Sequence, residues 1–154
     1  MKRLLALFLA ALCSISLFIS PVSATGVETD VISIKTSRID LPDGGYIIEE
    51  VTQTPSFART TYSTSGAKTS TRYTASGHAV FAVKVNGSFK YTGSSSWATS
   101  ASATVSIYDS NASYVSKSAS YSSNYATATG NVTYLGTSIS RTATLYCDKN
   151  GNLS

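Results

Sequence analysis

Few side chains in this sequence could do proton-transfer or covalent chemistry. His78 is the only histidine, so a Ser-His-Asp or Cys-His set would have to use it. It follows Ser76-Gly77, a turn signal, and no nucleophile elbow or related signature surrounds it. One histidine and one cysteine in the C-terminal half leave a zinc ligand set incomplete. Cys147 is a candidate nucleophile by type, but its position in an alternating run points inward with Leu145, where a thiol is inert. Glu49 and Glu50 are adjacent carboxylates. On a strand they point to opposite faces and cannot share an acid–base site. Asp109-Ser110-Asn111 and Asp148-Lys149-Asn150-Gly151-Asn152 have the oxygen-rich look of calcium loops, yet neither supplies the later bidentate acid, and Asx-turns account for both. The sequence therefore predicts no catalytic residue, no metal and no cofactor, and a protein that is not an enzyme.

Binding chemistry is better represented. Tyr108, Tyr125 and Tyr146 fall on outward strand positions among Thr and Ser. Tyrosine gives amphipathic contact area at small entropy cost and serine gives adaptable hydrogen bonds, so these three form the candidate binding surface. Tyr and Thr are also good strand formers for a solvated face, which is the plainer explanation. Sequons such as those at Asn86, Asn111 and Asn131 are expected by chance in so Ser/Thr-rich a chain.

The elements that must carry these residues are strands. Phe81, Val83, Val85, Phe89 and Tyr91 keep one parity through VFAVKVNGSFKYT (80–92), broken only by Gly87. That reads as one long strand with an apolar side, bent at Gly87. A two-residue turn at Asn86-Gly87 would put Phe89 and Tyr91 on the other face, so burial outweighs the turn dipeptide. A three-residue loop is the alternative that keeps the parity. Earlier in the chain, 31–36 and 46–52 read as strands about a Pro-Asp-Gly turn, and 59–75 as a short hairpin around Ser65-Gly66-Ala67-Lys68. Later, Ala101, Ala103, Val105 and Ile107 form a second apolar row, and 114–121 and 125–135 are further strands.

The last hairpin is the best defined. Gly136-Thr137 suits a type II′ turn, which pairs Tyr134 with Ile139, Ala128 with Leu145 and Ala126 with Cys147. One face then carries Ala126, Ala128, Val132, Tyr134, Ile139, Ala143, Leu145 and Cys147. Arg141 is the exception on that face, expected near the sheet's end with its guanidinium in water. Strands at such spacing imply an all-β fold, an antiparallel β-sandwich of Ig-like general architecture, with a small closed barrel as the alternative. Small inward alanines imply closely packed sheets, or large aromatics such as Trp97 and Phe81 filling the gap.

The N terminus has a separate character. Lys2 and Arg3, an apolar run over Leu4–Ile19 and small residues before Thr25 have the layout of a secretory signal peptide, 1–24, leaving a single domain, 25–154. The run is too short to span a bilayer, so no membrane association is expected after cleavage. Loss of Lys2 and Arg3 lowers the net charge of +4 by two. The remaining bases are scattered singly, which argues against a nucleic-acid partner. With Cys13 removed, Cys147 has no intramolecular partner, and the chain is expected to be a monomer.

The runs DGGYIIEEVTQTP, FAVKVNGSFKYTGSSS and TATLYCDKNGNLS resemble small signal-bearing proteins of Gram-positive, clostridia-like bacteria, an uncharacterised family. The resemblance spans most of 25–154. It implies export and an all-β fold, and it transfers no site. It also implies that a cysteine near Trp97-Ala98, present in such relatives, has been lost here as a partner for Cys147. Together these readings describe a secreted, extracellular, Ser/Thr-rich β-sandwich that binds a cell-surface or host glycan or protein. A bacteriocin-like or inhibitor-type antagonist is the alternative, and a hydrolase ranks third because His and acids are scarce.

Overall fold

Alternation along one strand decides where the core lies. A computed structural model describes residues 32–55 and 62–154, and the expected signal peptide lies outside them. The central run forms β4 (Ala79–Tyr91), one unbroken strand as expected, with Phe81, Val83, Val85 and Phe89 buried on its odd-numbered side. Around it, in chain order, are β1 (Ile32–Asp40), β2 (Tyr46–Pro55), β3 (Tyr62–Tyr73), β5 (Ser96–Ile107), β6 (Ala112–Ser122), β7 (Tyr125–Tyr134) and β8 (Thr137–Tyr146). They build two antiparallel sheets, β1-β2-β3-β4-β5 and β6-β7-β8, each following chain order. The fold is an all-β sandwich, and the two sheets do not close into a barrel.

The smaller sheet lays Ala126, Ala128, Val132, Ala143 and Leu145 on the apolar side of β4 and β5. Alanine and glycine there allow close approach. A Cβ on Gly130 would stand 2.7 Å from methyls of Val83 and Val105, and one on Gly87 would stand 3.0 Å from the Ala126 Cβ. Close packing and two buried phenylalanines, each worth about 2–3 kcal/mol, fill the interior. Trp97 does not. It is 40% exposed on the outer side, because the extra residue Thr99 shifts the β4–β5 register between Ser88 and Phe89 and turns Ala98 inward instead.

Three other expectations are corrected. β3 runs straight through Ser65-Gly66-Ala67-Lys68, with Gly66 paired to Gly87, so no hairpin forms there. Pairing with neighbours on both sides holds this Gly-containing stretch extended. The last hairpin turns at Leu135-Gly136, with Leu135 at φ 49° and Gly136 at φ 78°, the signature of type I′ and not II′. The register is consequently two residues off the expected one: Val132 pairs Ile139, Ala128 pairs Ala143 and Ala126 pairs Leu145. A slip of two preserves every side chain's face, so the expected apolar set survives. Arg141, finally, is not at a sheet end in water. Its Nε donates to Ser70 Oγ at 2.8 Å and its guanidinium meets Glu49 Oε1 at 3.0 Å. Lys68 reaches Glu49 Oε2 at 3.2 Å. This half-buried network closes the sandwich where β8 extends beyond the apolar core onto β2 and β3.

The C-terminal residues cover the opposite end of the same side. Gln53 holds them, donating to the Gly151 carbonyl at 2.9 Å and accepting from Leu153 N at 3.4 Å. Leu153 is buried at Gly66, where a Cβ would collide with it.

Candidate functional site

The chemistry-bearing residues singled out from the sequence are kept apart. His78 is exposed in the turn entering β4. Cys147 lies beyond the other end of that strand, where Ser96 Oγ donates to its carbonyl at 2.7 Å, about 40 Å away along the strand direction. No Cys–His pair can form. The thiol is fully buried, its pKa pushed up to about 11 by burial first and by the charge of Asp148 second. Glu49 belongs to the inter-sheet network, while Glu50 is on the outer face of its sheet. Among the described residues no three His, Cys, Asp or Glu side chains gather where they could hold a metal ion.

The two acidic loops are Asx-turns. Asp109 Oδ1 accepts from Asn111 N at 2.8 Å. Asp148 accepts from Asn150 N at 2.8 Å, Asn152 N at 2.9 Å and Asn152 Nδ2 at 2.8 Å. Desolvation pushes the Asp148 carboxyl up, but these hydrogen bonds outweigh it and hold the group below its usual range. Its oxygens are thus spent on the chain itself.

The tyrosines divide. Tyr125 and Tyr146 face each other across β7 and β8, ring centroids 5.7 Å apart and tilted by 52°. Tyr108 is at the opposite end of the molecule, its N–H donating to the Val80 carbonyl at 2.9 Å. Nine residues of β7 separate the two places, roughly 30 Å, so the three do not make one surface.

A different face gathers polar groups. The outward residues of the five-stranded sheet form two adjacent cross-strand rows, Thr52–Ala67–Asn86–Ser102 and Thr54–Ser65–Ser88–Ser100. They line a shallow groove of about 500 Å³, within the size range of small-ligand sites. Its depth has a local cause. Between these rows the inward positions of β3 and β4 are the paired Gly66 and Gly87. Without Cβ atoms the sheet settles toward Leu153, Phe89 and Ala126, and the small outward side chains leave the trough open.

The groove's groups are hydroxyls and one amide, with Asn86 Nδ2 donating to Ser102 Oγ at 3.3 Å. Thr99 Oγ1 donates to the Ser88 carbonyl at 3.1 Å and fixes the bulge. In the next row Lys90 pairs with Trp97, which places an exposed indole at one end. Lys84 lines the other end, and among the described residues no carboxylate lines the groove. At the far edge of the same face Tyr46 stacks on Tyr73 at 4.9 Å, with the Arg38 guanidinium 3.8 Å from the Tyr46 ring centroid.

Reading the alternation of β4 for its apolar side alone passes over this site. The signal was present in the even-numbered Lys84, Asn86, Ser88 and Lys90, all polar. For Trp97 no local signal exists, since its face depends on the bulge at Thr99. Comparison with protein-family models, with curated proteins and with solved structures finds no match, so the groove itself carries the functional argument.

Proposed function

We propose that the protein is an exported, non-catalytic binding protein and that its outer groove takes a glycan chain. The observation that carries this reading is the groove's lining, hydroxyls and an amide over a floor at Ala67, with the exposed Trp97 in the next cross-strand row. A pyranose ring offers the complement, an apolar C–H face for an indole and a rim of hydroxyls for Ser, Thr and Asn. The lining among the described residues offers hydrogen-bonding groups suited to binding, and the N-terminal layout supports export.

Trp97 is the only tryptophan in the chain, so its emission is a site-specific reporter. Purified protein titrated with a panel of soluble polysaccharides should show saturable emission changes with at least one of them. Asn86→Ala should weaken that binding without altering the melting temperature. Binding that leaves Trp97 emission unchanged and Asn86→Ala unaffected, or no binding to any glycan, would refute the reading.

A further inference from the structure

We infer that the glycan in this groove is acidic, an inference that rests on the glycan reading above. The outward positions of β4 run Lys84, Asn86, Ser88, Lys90, so a lysine stands at each end of the polar pair that lines the trough. Both lysines are exposed, and neither is in an ion pair among the described residues. Among the other cations of this sheet, Arg38 pairs with Asp40, Lys68 with Glu49 and Arg72 with Asp43, while Lys35 stands on the edge strand β1 opposite the buried Val51, away from the outer face. Glu50 shares the outer face but lies two strands from Lys84, with Thr69 between them.

Positive charge along a polar trough raises the local concentration of anions. Lys84 and Lys90 are six residues apart, about 20 Å along an extended strand, which a chain with repeated charges can bridge and a single small anion cannot. An ammonium is a compact point charge without the planar fork of arginine, so it does not select carboxylate over phosphate by geometry. The ligand class is accordingly an acidic polysaccharide, its charge borne either as ring carboxylates or as backbone phosphodiesters.

The test compares three polysaccharides on the whole exported protein: a polygalacturonate, a phosphodiester-linked phosphomannan and a neutral dextran, with Trp97 emission as readout. At least one acidic polymer should bind more tightly than dextran. Because acidic chains release condensed counterions as nucleic acids do, log K should fall against log salt with a slope of about −1 to −2 for two lysine contacts. Lys84→Gln and Lys90→Gln should each weaken binding by about two- to fivefold and leave the melting temperature unchanged. Binding to one acidic polymer alone supports the inference and identifies which group carries the charge. Dextran bound equally well, with no salt slope and no effect of the lysine variants, overturns the acidic assignment and leaves the glycan reading standing. No polymer bound defeats the glycan reading itself. A single-stranded oligonucleotide bound as tightly as the acidic polymers would overturn the assignment to glycans.

Discussion

Leu135 occupies a conformation that its side chain disfavours. A φ of 49° is left-handed backbone, which Asn and Gly adopt with least strain, and Leu135 is 68% exposed, so its side chain gains little from packing. Leu135→Asn should therefore stabilise the protein by about 0.5–1 kcal/mol, measured as a raised urea midpoint at unchanged m-value. The sequence misleads here because Gly136 satisfies either turn, as the first residue of II′ or the second of I′. Local chemistry favours Gly-Thr; strand pairing imposes Leu-Gly. Cys147 was legible all the same, because the two-residue slip keeps its face. Its thiol should label slowly in the native protein and fast in denaturant. The pH dependence follows from a folded pKa near 11 against the ordinary 9.0. As pH rises the unfolded chain gives up this proton first, so the thiol's contribution is intact below about pH 9 and is lost between about pH 9 and 11. Urea titrations should show a loss of roughly 1–3 kcal/mol across that window which Cys147→Ala lacks. An equal slope in both proteins would contradict a buried thiol.

At the scale of elements, the strands with strict alternation were readable and the irregular ones were not. β4 follows from five apolar residues of one parity. β3 does not, because Ser65-Gly66-Ala67-Lys68 has turn-like composition and only its pairing on both sides shows it to be a strand. Arg141 looked anomalous on an apolar face until β2 and β3 supplied Glu49 and Ser70 as partners from distant sequence. The Gly66–Gly87 pair has the largest consequence, since it shapes the groove from behind. A Cβ at Gly87 would stand 2.9 Å from the Phe89 ring and 3.0 Å from Ala126, both buried. Gly87→Ala should cost about 1–3 kcal/mol by overpacking, and by pushing the sheet outward it should weaken glycan binding under conditions where the variant remains folded. Chemical denaturation and the Trp97 titration read the two effects separately.

The whole molecule is an unequal sandwich in which the large sheet has more area than the small one covers. Its inner surface is apolar under β7 and β8, becomes a charged network at Glu49, Lys68 and Arg141, and is finished by the C-terminal residues around Leu153. Its outer surface carries hydroxyl and amide side chains around Ala67 at the centre, and there the trough lies. Composition and periodicity contained the sandwich but could not show the trough, which depends on cross-strand register over β2 to β5. The tyrosines chosen from sequence are good strand residues that the fold disperses; the groove residues are ordinary serines and threonines that the fold assembles. The most direct test of this account is an amide chemical-shift map, titrating isotope-labelled protein with the polysaccharide that binds it best. Shifts confined to Thr52, Ala67, Asn86, Ser88 and Ser100, with the Trp97 indole N–H, are the predicted result. Shifts centred on Tyr125 and Tyr146, with the outer face of β3 to β5 unmoved, would contradict it.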